Sequence, residues 1–290
     1  MLASEGEGES AVRRRLIEGK VFEWMIIGRE DLGDADAILQ DAGLTHDLLT
    51  AIILKDEGGW LTRLQSRIAS QHHEPERIWS RTTGQLDCMR RFAREMSRRV
   101  DEGQILMAQR SHVAVLKAVF ALPRAILNKR CTMSRGLLFC REAALELGWT
   151  VYVHDAIELL GVEHASRAFV TKLDALSRQI IAESTFTDDE KAIRIHHLWQ
   201  SKWLLDHAEP SDAVWPLYFW SSTNVQEGGD KKNQSSWRHW IRFVEELGIA
   251  DISGLRRKAI LAGELLHSAT DLAEEYGSLH GLCPKSSHDT

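Results

Sequence analysis

The chain has 290 residues, 43% hydrophobic and 27% charged, with a formal net charge of −6. That is an ordinary globular composition, enough for one large core or two small ones. No apolar run is expected to span a membrane, and four cysteines without CxxC spacing point to neither a zinc module nor a disulfide framework.

The charge is unevenly placed. Residues 60–141 carry 16 Lys/Arg against 6 Asp/Glu, residues 1–59 carry 6 against 13, and residues 142–290 carry 14 against 23. A basic middle between two acidic ends suggests a polyanionic partner, nucleic acid above all. The start of the chain has acids before bases and no apolar core like that of a signal peptide, so a cytoplasmic location with reduced thiols is expected.

In chain order, residues 1–9 are rich in Gly, Ser and Glu and are expected to be disordered. Val12, Leu16, Val21 and Trp24 suggest a helix over 10–27, with Ser10 as its cap. Two short helices follow, broken at Ala42-Gly43-Leu44, with Thr45 capping the second. Acidic flanks (Asp34, Asp36, Asp41, Asp47) make this hairpin structural or partner-binding rather than a groove-entering motif. Gly58-Gly59 marks a break before a helix over 60–69, which His72-His73-Glu74-Pro75 closes as a polar loop.

The basic middle holds the clearest helix. Leu86, Met89, Ala93, Met96 and Val100 step by 3 and 4 to form one apolar stripe, and Arg90, Arg91, Arg94 and Arg98 fall opposite it. Four guanidiniums on one face repel each other unless phosphates, or acids from elsewhere in the fold, neutralise them. A further helix is expected over 104–120, then a turn at Ala121-Leu122-Pro123. Pro123 would open a second helix over 124–130 that presents Arg124, Asn128, Lys129 and Arg130. With Arg135 beyond it, this bihelical unit could act as a helix-turn-helix. Lys117 and Ala121 depart from that pattern, where a small residue and a glycine are usual.

Thr132 or Ser134 caps a helix through Leu147, with Gly148 as its stop. Residues 149–153 have β character. The chain then turns acidic and helical. Phe169, Leu173, Leu176 and Ile180 mark one helix, and Thr187 to Glu190 form a capping box for another through His207, ended by Pro210. Residues 213–220 are apolar, 221–236 read as a polar loop, and helices over 237–247 and 252–276 precede a loose tail. Six of ten tryptophans lie between Trp199 and Trp240. Trp199/Trp203 and Trp237/Trp240 each share a helix face, so they read as core, with a stacking or partner surface as the alternative.

No nucleophile motif or phosphate loop is present, and Gly228-Gly229-Asp230-Lys231 lacks both Walker spacing and a preceding strand. The one enzyme-like set is His112, His154-Asp155 and Asp206. It faintly resembles the HD-domain metal phosphohydrolases, in which a His, a His-Asp pair and a distal Asp converge on a divalent metal. That resemblance implies those four residues as ligands. The Ala-Ile-Glu after Asp155 departs from the family's Gly-Lys or Gly-Asp element, and His46-Asp47 supplies a second His-Asp pair.

The expected fold is all-α, a multi-helical bundle with helical hairpins. Its regions are an acidic one over 1–59, a basic one over 60–148 and an acidic, Trp-rich one over 149–290. The leading functional expectation is a non-enzymatic nucleic-acid-binding protein or nucleoprotein subunit, with no cofactor. An adaptor whose basic middle binds an acidic partner, or its own acidic ends in a homo-oligomer, is the alternative. A metal phosphohydrolase is the third.

Overall fold

Helical periodicity carries through to the fold. The computed structural model describes residues 2–4, 11–18, 20–28, 32, 34–129, 132–227 and 234–282. Among them the α-helices are α1 (Ala35–Gln40), α2 (Ala42–Thr50), α3 (Trp60–Gln71), α4 (Pro75–Asp101), α5 (Ile105–Leu127) and α6 (Gly136–Glu146). They continue as α7 (Thr150–Leu160), α8 (Arg167–Ala182), α9 (Asp188–His207), α10 (Pro210–Glu227), α11 (Gln234–Glu246) and α12 (Ile252–Leu279). The protein is an all-α multi-helical bundle with one small sheet.

The sheet is a correction. Instead of a helix over 10–27, β2 (Ala11–Ile17) and β3 (Lys20–Gly28) pair antiparallel, Ile17 opposite Lys20. β1 (Leu2–Ser4) adds in parallel to the other side of β3, where disorder was expected. The physical reason shows at Glu18, which follows Ile17 in the left-handed conformation, at φ 50°, as a tight hairpin turn requires. Residues 5–10, with Ser10, lie outside the described residues.

Helix ends follow capping chemistry, with shifts. α1 and α2 are capped by Asp34 and Asp41, whose carboxylates accept from the Ala37 and Leu44 N–H groups, both at 2.9 Å. Thr45, expected as a cap, is buried inside α2 and donates to Ile38 O at 2.7 Å. Pro75 opens α4 rather than closing a loop, as suits a residue without an N–H at the first turn. The capping box of α9 is present: Glu190 N–H donates to Thr187 Oγ1, and Thr187 N–H to Glu190 Oε2. Residues 150–153 fall in α7, with Trp149 at its N-cap, and not in a strand, and 221–227 extend α10, with Ser221, Ser222 and Asn224 buried. Residues 228–233, with Gly228-Gly229-Asp230-Lys231, and the tail beyond 282 lie outside the described residues.

The turn expected at 121–123 is absent. α5 runs unbroken from Ile105 to Leu127 with Pro123 inside it, so the predicted helix-turn-helix is not formed. A helical proline leaves the carbonyl four residues back without its donor. Here that carbonyl, Val119 O, accepts from Tyr152 Oη at 2.7 Å. Its neighbours on either side are also engaged: Gln85 Nε2 donates to Ala118 O at 2.9 Å, and Arg124 Nε to Phe120 O at 2.8 Å. Side chains from α4 and α7 thus carry the helix through its proline.

α5 is also the one described helix long and apolar enough to cross a membrane, which the sequence reading did not anticipate. Its 15 buried residues of 23 instead form the middle of the main core, against α4, α6 and α7. α12 packs on α4 and α7, and α8, α10 and α11 pack together. The aromatic residues Tyr218, Trp240 and Phe243 stack in the same core, with rings 6.0–6.2 Å apart. Of the tryptophan pairs expected in the core, Trp240 is buried there and Trp203 packs partly buried against it, whereas Trp199 and Trp237 are exposed; Trp215 is also core. A second, smaller core joins Ile27, Leu32, α1, α2 and α3.

Arg81 ties the two cores. It is 2% exposed, with Nη2 donating to His72 O at 2.9 Å, Nη1 to Leu39 O at 3.3 Å and Nε to Ala125 O at 3.4 Å. These carbonyls end α3, α1 and α5, so three helix C-termini point their negative ends at one guanidinium. Burial pulls its pKa down to about 10, which still leaves it charged at neutral pH.

Candidate functional site

The α4 stripe is buried as its spacing dictates, which leaves the arginine face to solvent. That face is largely neutralised within its own helix. Arg90 pairs with Asp87, Arg98 with Glu95 at 2.8 Å and Glu102 at 2.6 Å, and Arg99 with Glu95 at 2.6 Å. Hydrogen bonds from Arg98, then Arg99, hold the Glu95 carboxyl down to about 2, so it stays ionised. Arg91 and Arg94 are exposed and have no carboxylate partner among the described residues. Arg91 lies 4.9 Å from the Phe92 ring centre and 3.9 Å from Cys88 Sγ.

The acidic ends neutralise further cations of the basic middle. Asp36 receives Arg67 and Arg77, Glu146 receives Lys129, and the buried Asp212 receives Arg141 at 3.1 Å. Of the other residues expected to contact phosphate, Asn128 is the left-handed stop of α5, at φ 49°. Arg135 stacks on Trp203 at 4.1 Å and reaches Gln200 at 3.3 Å. Arg130 lies outside the described residues. Arg124 is 3% exposed rather than presented to solvent, because the unbroken α5 turns it inward.

Arg124 faces a cleft of about 390 Å³ between α4, α5 and the start of α6. Lys117 shares the lining, with Phe92, Phe120 and Trp215 as aromatic walls and Gln85 and Cys88 beside them. Phe92 also borders the α4 surface of Arg91 and Arg94, so the two adjoin. Gly136 forms part of the wall because nothing larger fits: an added Cβ would lie 2.6 Å from Trp215 Nε1 and 3.3 Å from Phe120 Cδ2. Trp215 is held in turn by its bond to Met133 O at 2.6 Å. The sequence reading named Lys117 only as a misfit to a turn motif, and Phe92, Phe120 and Trp215 carried no polar signal. Their convergence depends on the continuity of α5.

The His-Asp set does not converge. His112 is fully buried, with Nε2 3.0 Å from Leu159 O and Nδ1 3.0 Å from Tyr218 Oη, so both ring nitrogens are occupied. Asp206 pairs with Arg167 at 3.1 Å. His154 is exposed, and its neighbours Asp155 and Glu158 bring ligand atoms within 4.8 Å of one another on the surface of α7 alone. Comparison of the chain with family models, curated proteins and solved structures yields no match.

Proposed function

We propose that the protein binds a polyanion, nucleic acid being the class its charge distribution favours, through the exposed face of α4 at Arg91 and Arg94. What supports the reading is a contrast on one helix. Arg90, Arg98 and Arg99 are neutralised by Asp87, Glu95 and Glu102, whereas Arg91 and Arg94 have no carboxylate partner among the described residues and Arg91 lies over the Phe92 ring. Guanidinium with an adjacent ring suits phosphate together with an unpaired base. The contact is smaller than the nine-residue surface the sequence suggests, so weak, salt-sensitive binding is expected.

The test is a gel shift with short single and double strands of DNA and RNA at about 50 and about 200 mM salt. Binding should fall with salt, and Arg91→Ala with Arg94→Ala should flatten the logarithmic slope by roughly one unit per lost contact. Binding unaffected by both substitutions, or none to any strand, overturns the proposal. A protein-partner reading, distinct from the charge-based adaptor of the sequence, is favoured by Ile52 and Leu54, 85% and 93% exposed in the segment between α2 and α3. It calls for a change in solution mass when both are replaced by Ser.

A further inference from the structure

The cleft beside α5 holds a buried positive charge whose hydrogen-bonding capacity is only partly used within the fold: Arg124 Nε donates to Phe120 O at 2.8 Å. Arg124 Nη1 is shielded from solvent and meets no acceptor, and among the described residues no carboxylate pairs with this guanidinium. An uncompensated buried cation is costly, and a ligand that supplies the missing acceptors offsets that cost.

A second observation lies on the opposite wall. Thr132 occupies the N-cap of the short 3-10 turn Met133–Arg135 that leads into α6, in an extended conformation. A threonine there ordinarily accepts from a backbone N–H of the first turn. Thr132 Oγ1 instead is buried without a partner, and no side chain caps the helix start. Thr132, Met133 and Gly136 line the same cleft as Arg124. The Thr132 hydroxyl is thus left to donate to an acceptor in the cleft. Lys117 adds a second cation, its Nζ 5.7 Å from the Phe219 ring centre.

We propose that this cleft binds a small phosphomonoester with an aromatic or apolar body. The phosphate sits between Arg124, Lys117 and the Thr132 hydroxyl, and the body lies against Phe92 and Phe120. Two cations and a hydroxyl donor match a dianionic head group better than a single carboxylate. The cleft volume falls in the range of small-molecule sites, about 300–1,000 Å³. Asp41 also borders the cleft, its Oδ1 accepting from Leu44 N–H at 2.9 Å, and it disfavours a second anionic group on that side. The proposal does not rest on nucleic-acid binding, which uses Arg91 and Arg94.

The experiment is calorimetric titration of the full chain with phenyl phosphate, inorganic phosphate and phenol. Phenyl phosphate should bind, phosphate alone should bind about tenfold more weakly, and phenol should give no heat. Arg124→Gln and Lys117→Gln should each weaken phenyl phosphate about tenfold, while Arg91→Ala with Arg94→Ala leaves it unchanged. Lys117 is only partly buried, so its variant decides the matter if Arg124→Gln does not fold. Alkylation of Cys88 in the cleft wall, followed by peptide mapping, should slow when phenyl phosphate is present. Cys140 is buried with its thiol pushed up to about 12 and stays inert. Absence of binding and of Cys88 protection overturns the site, as does native affinity in both variants. Equal affinity for phosphate and phenyl phosphate overturns the assignment of the aromatic body.

Discussion

Acidification should weaken the fold through His112, and His112→Gln should remove that sensitivity. Leu159 O can only accept, so His112 Nε2 carries the ring proton, and Nδ1 lies 3.0 Å from Tyr218 Oη. Burial keeps this imidazole neutral in place. Burial, with a smaller contribution from Lys258, lowers its pKa to about 4, against the partial support that the Leu159 carbonyl gives the charged form. The unfolded chain takes up this proton near the ordinary value of about 6.5. A folded pKa below the unfolded one means that the unfolded state binds more protons as pH falls from 6.5 to 4, so stability declines across that window. From pH 7 to 4.5 the loss is about 2.5 kcal/mol, worked from the two pKa values. The assay is urea denaturation of the native chain and of His112→Gln at both pH values. The amide can keep one donor and one acceptor, so the variant should be weaker at pH 7 by about 1–3 kcal/mol. The gap should close or reverse at pH 4.5, because only the native chain loses the His112 contribution. A gap that does not change with pH would refute the assignment, because the other histidines and all carboxylates are common to both proteins.

Two further substitutions test how the helices are joined. Arg81→Met keeps the aliphatic stem but leaves the ends of α1, α3 and α5 without their shared donor. Removing one side of a buried charge-assisted set should cost about 3 kcal/mol in denaturant unfolding, and an unchanged midpoint would show that the three carbonyls do not depend on it. Gly136→Ala should destabilise by about 1–2 kcal/mol, because overpacking against Trp215 and Phe120 outweighs the gain in helix propensity. Thermal unfolding at or above the native midpoint would show that Trp215 can move aside.

The fold was legible in the sequence wherever one physical signal dominated. The α4 stripe, the Thr187 capping box and the Gly148 stop, at φ 77°, all stand where spacing and local chemistry put them. Errors arose where two local rules competed and tertiary contacts decided between them. Val12, Leu16, Val21 and Trp24 satisfy a helical period, yet Glu18-Gly19 offers a hairpin turn, and β1 completes a sheet with β3. Pro123 reads as the start of a helix, yet Tyr152, 29 positions along the chain, donates to the carbonyl that the proline leaves open. No local pattern contains that bond. The candidate site was hidden for the same reason, since Arg124 turns inward only because α5 does not stop at Leu122.

The basic middle thereby acquires a different meaning. A surplus of positive charge in sequence marks a polyanion surface only if the fold leaves the charge exposed and unpaired. Here the acids of both flanking regions and of α4 itself take up Arg67, Arg77, Arg90, Arg98, Arg99, Lys129 and Arg141. Arg81 is consumed by helix ends. Among the described residues, the cations proposed for a ligand are few and local: Arg91 and Arg94 outside, Arg124 and Lys117 within, with Phe92 at the boundary between them. A surface of two guanidiniums binds weakly and without much selectivity. A buried one, sharing a walled cleft with Lys117 and the Thr132 hydroxyl, discriminates by shape as well as charge, because an ill-fitting anion forfeits either the phosphate contacts or the aromatic ones. Selectivity in this protein is therefore expected to reside in the cleft and salt-dependent attraction on α4, and the Arg91/Arg94 and Arg124/Lys117 variants separate the two.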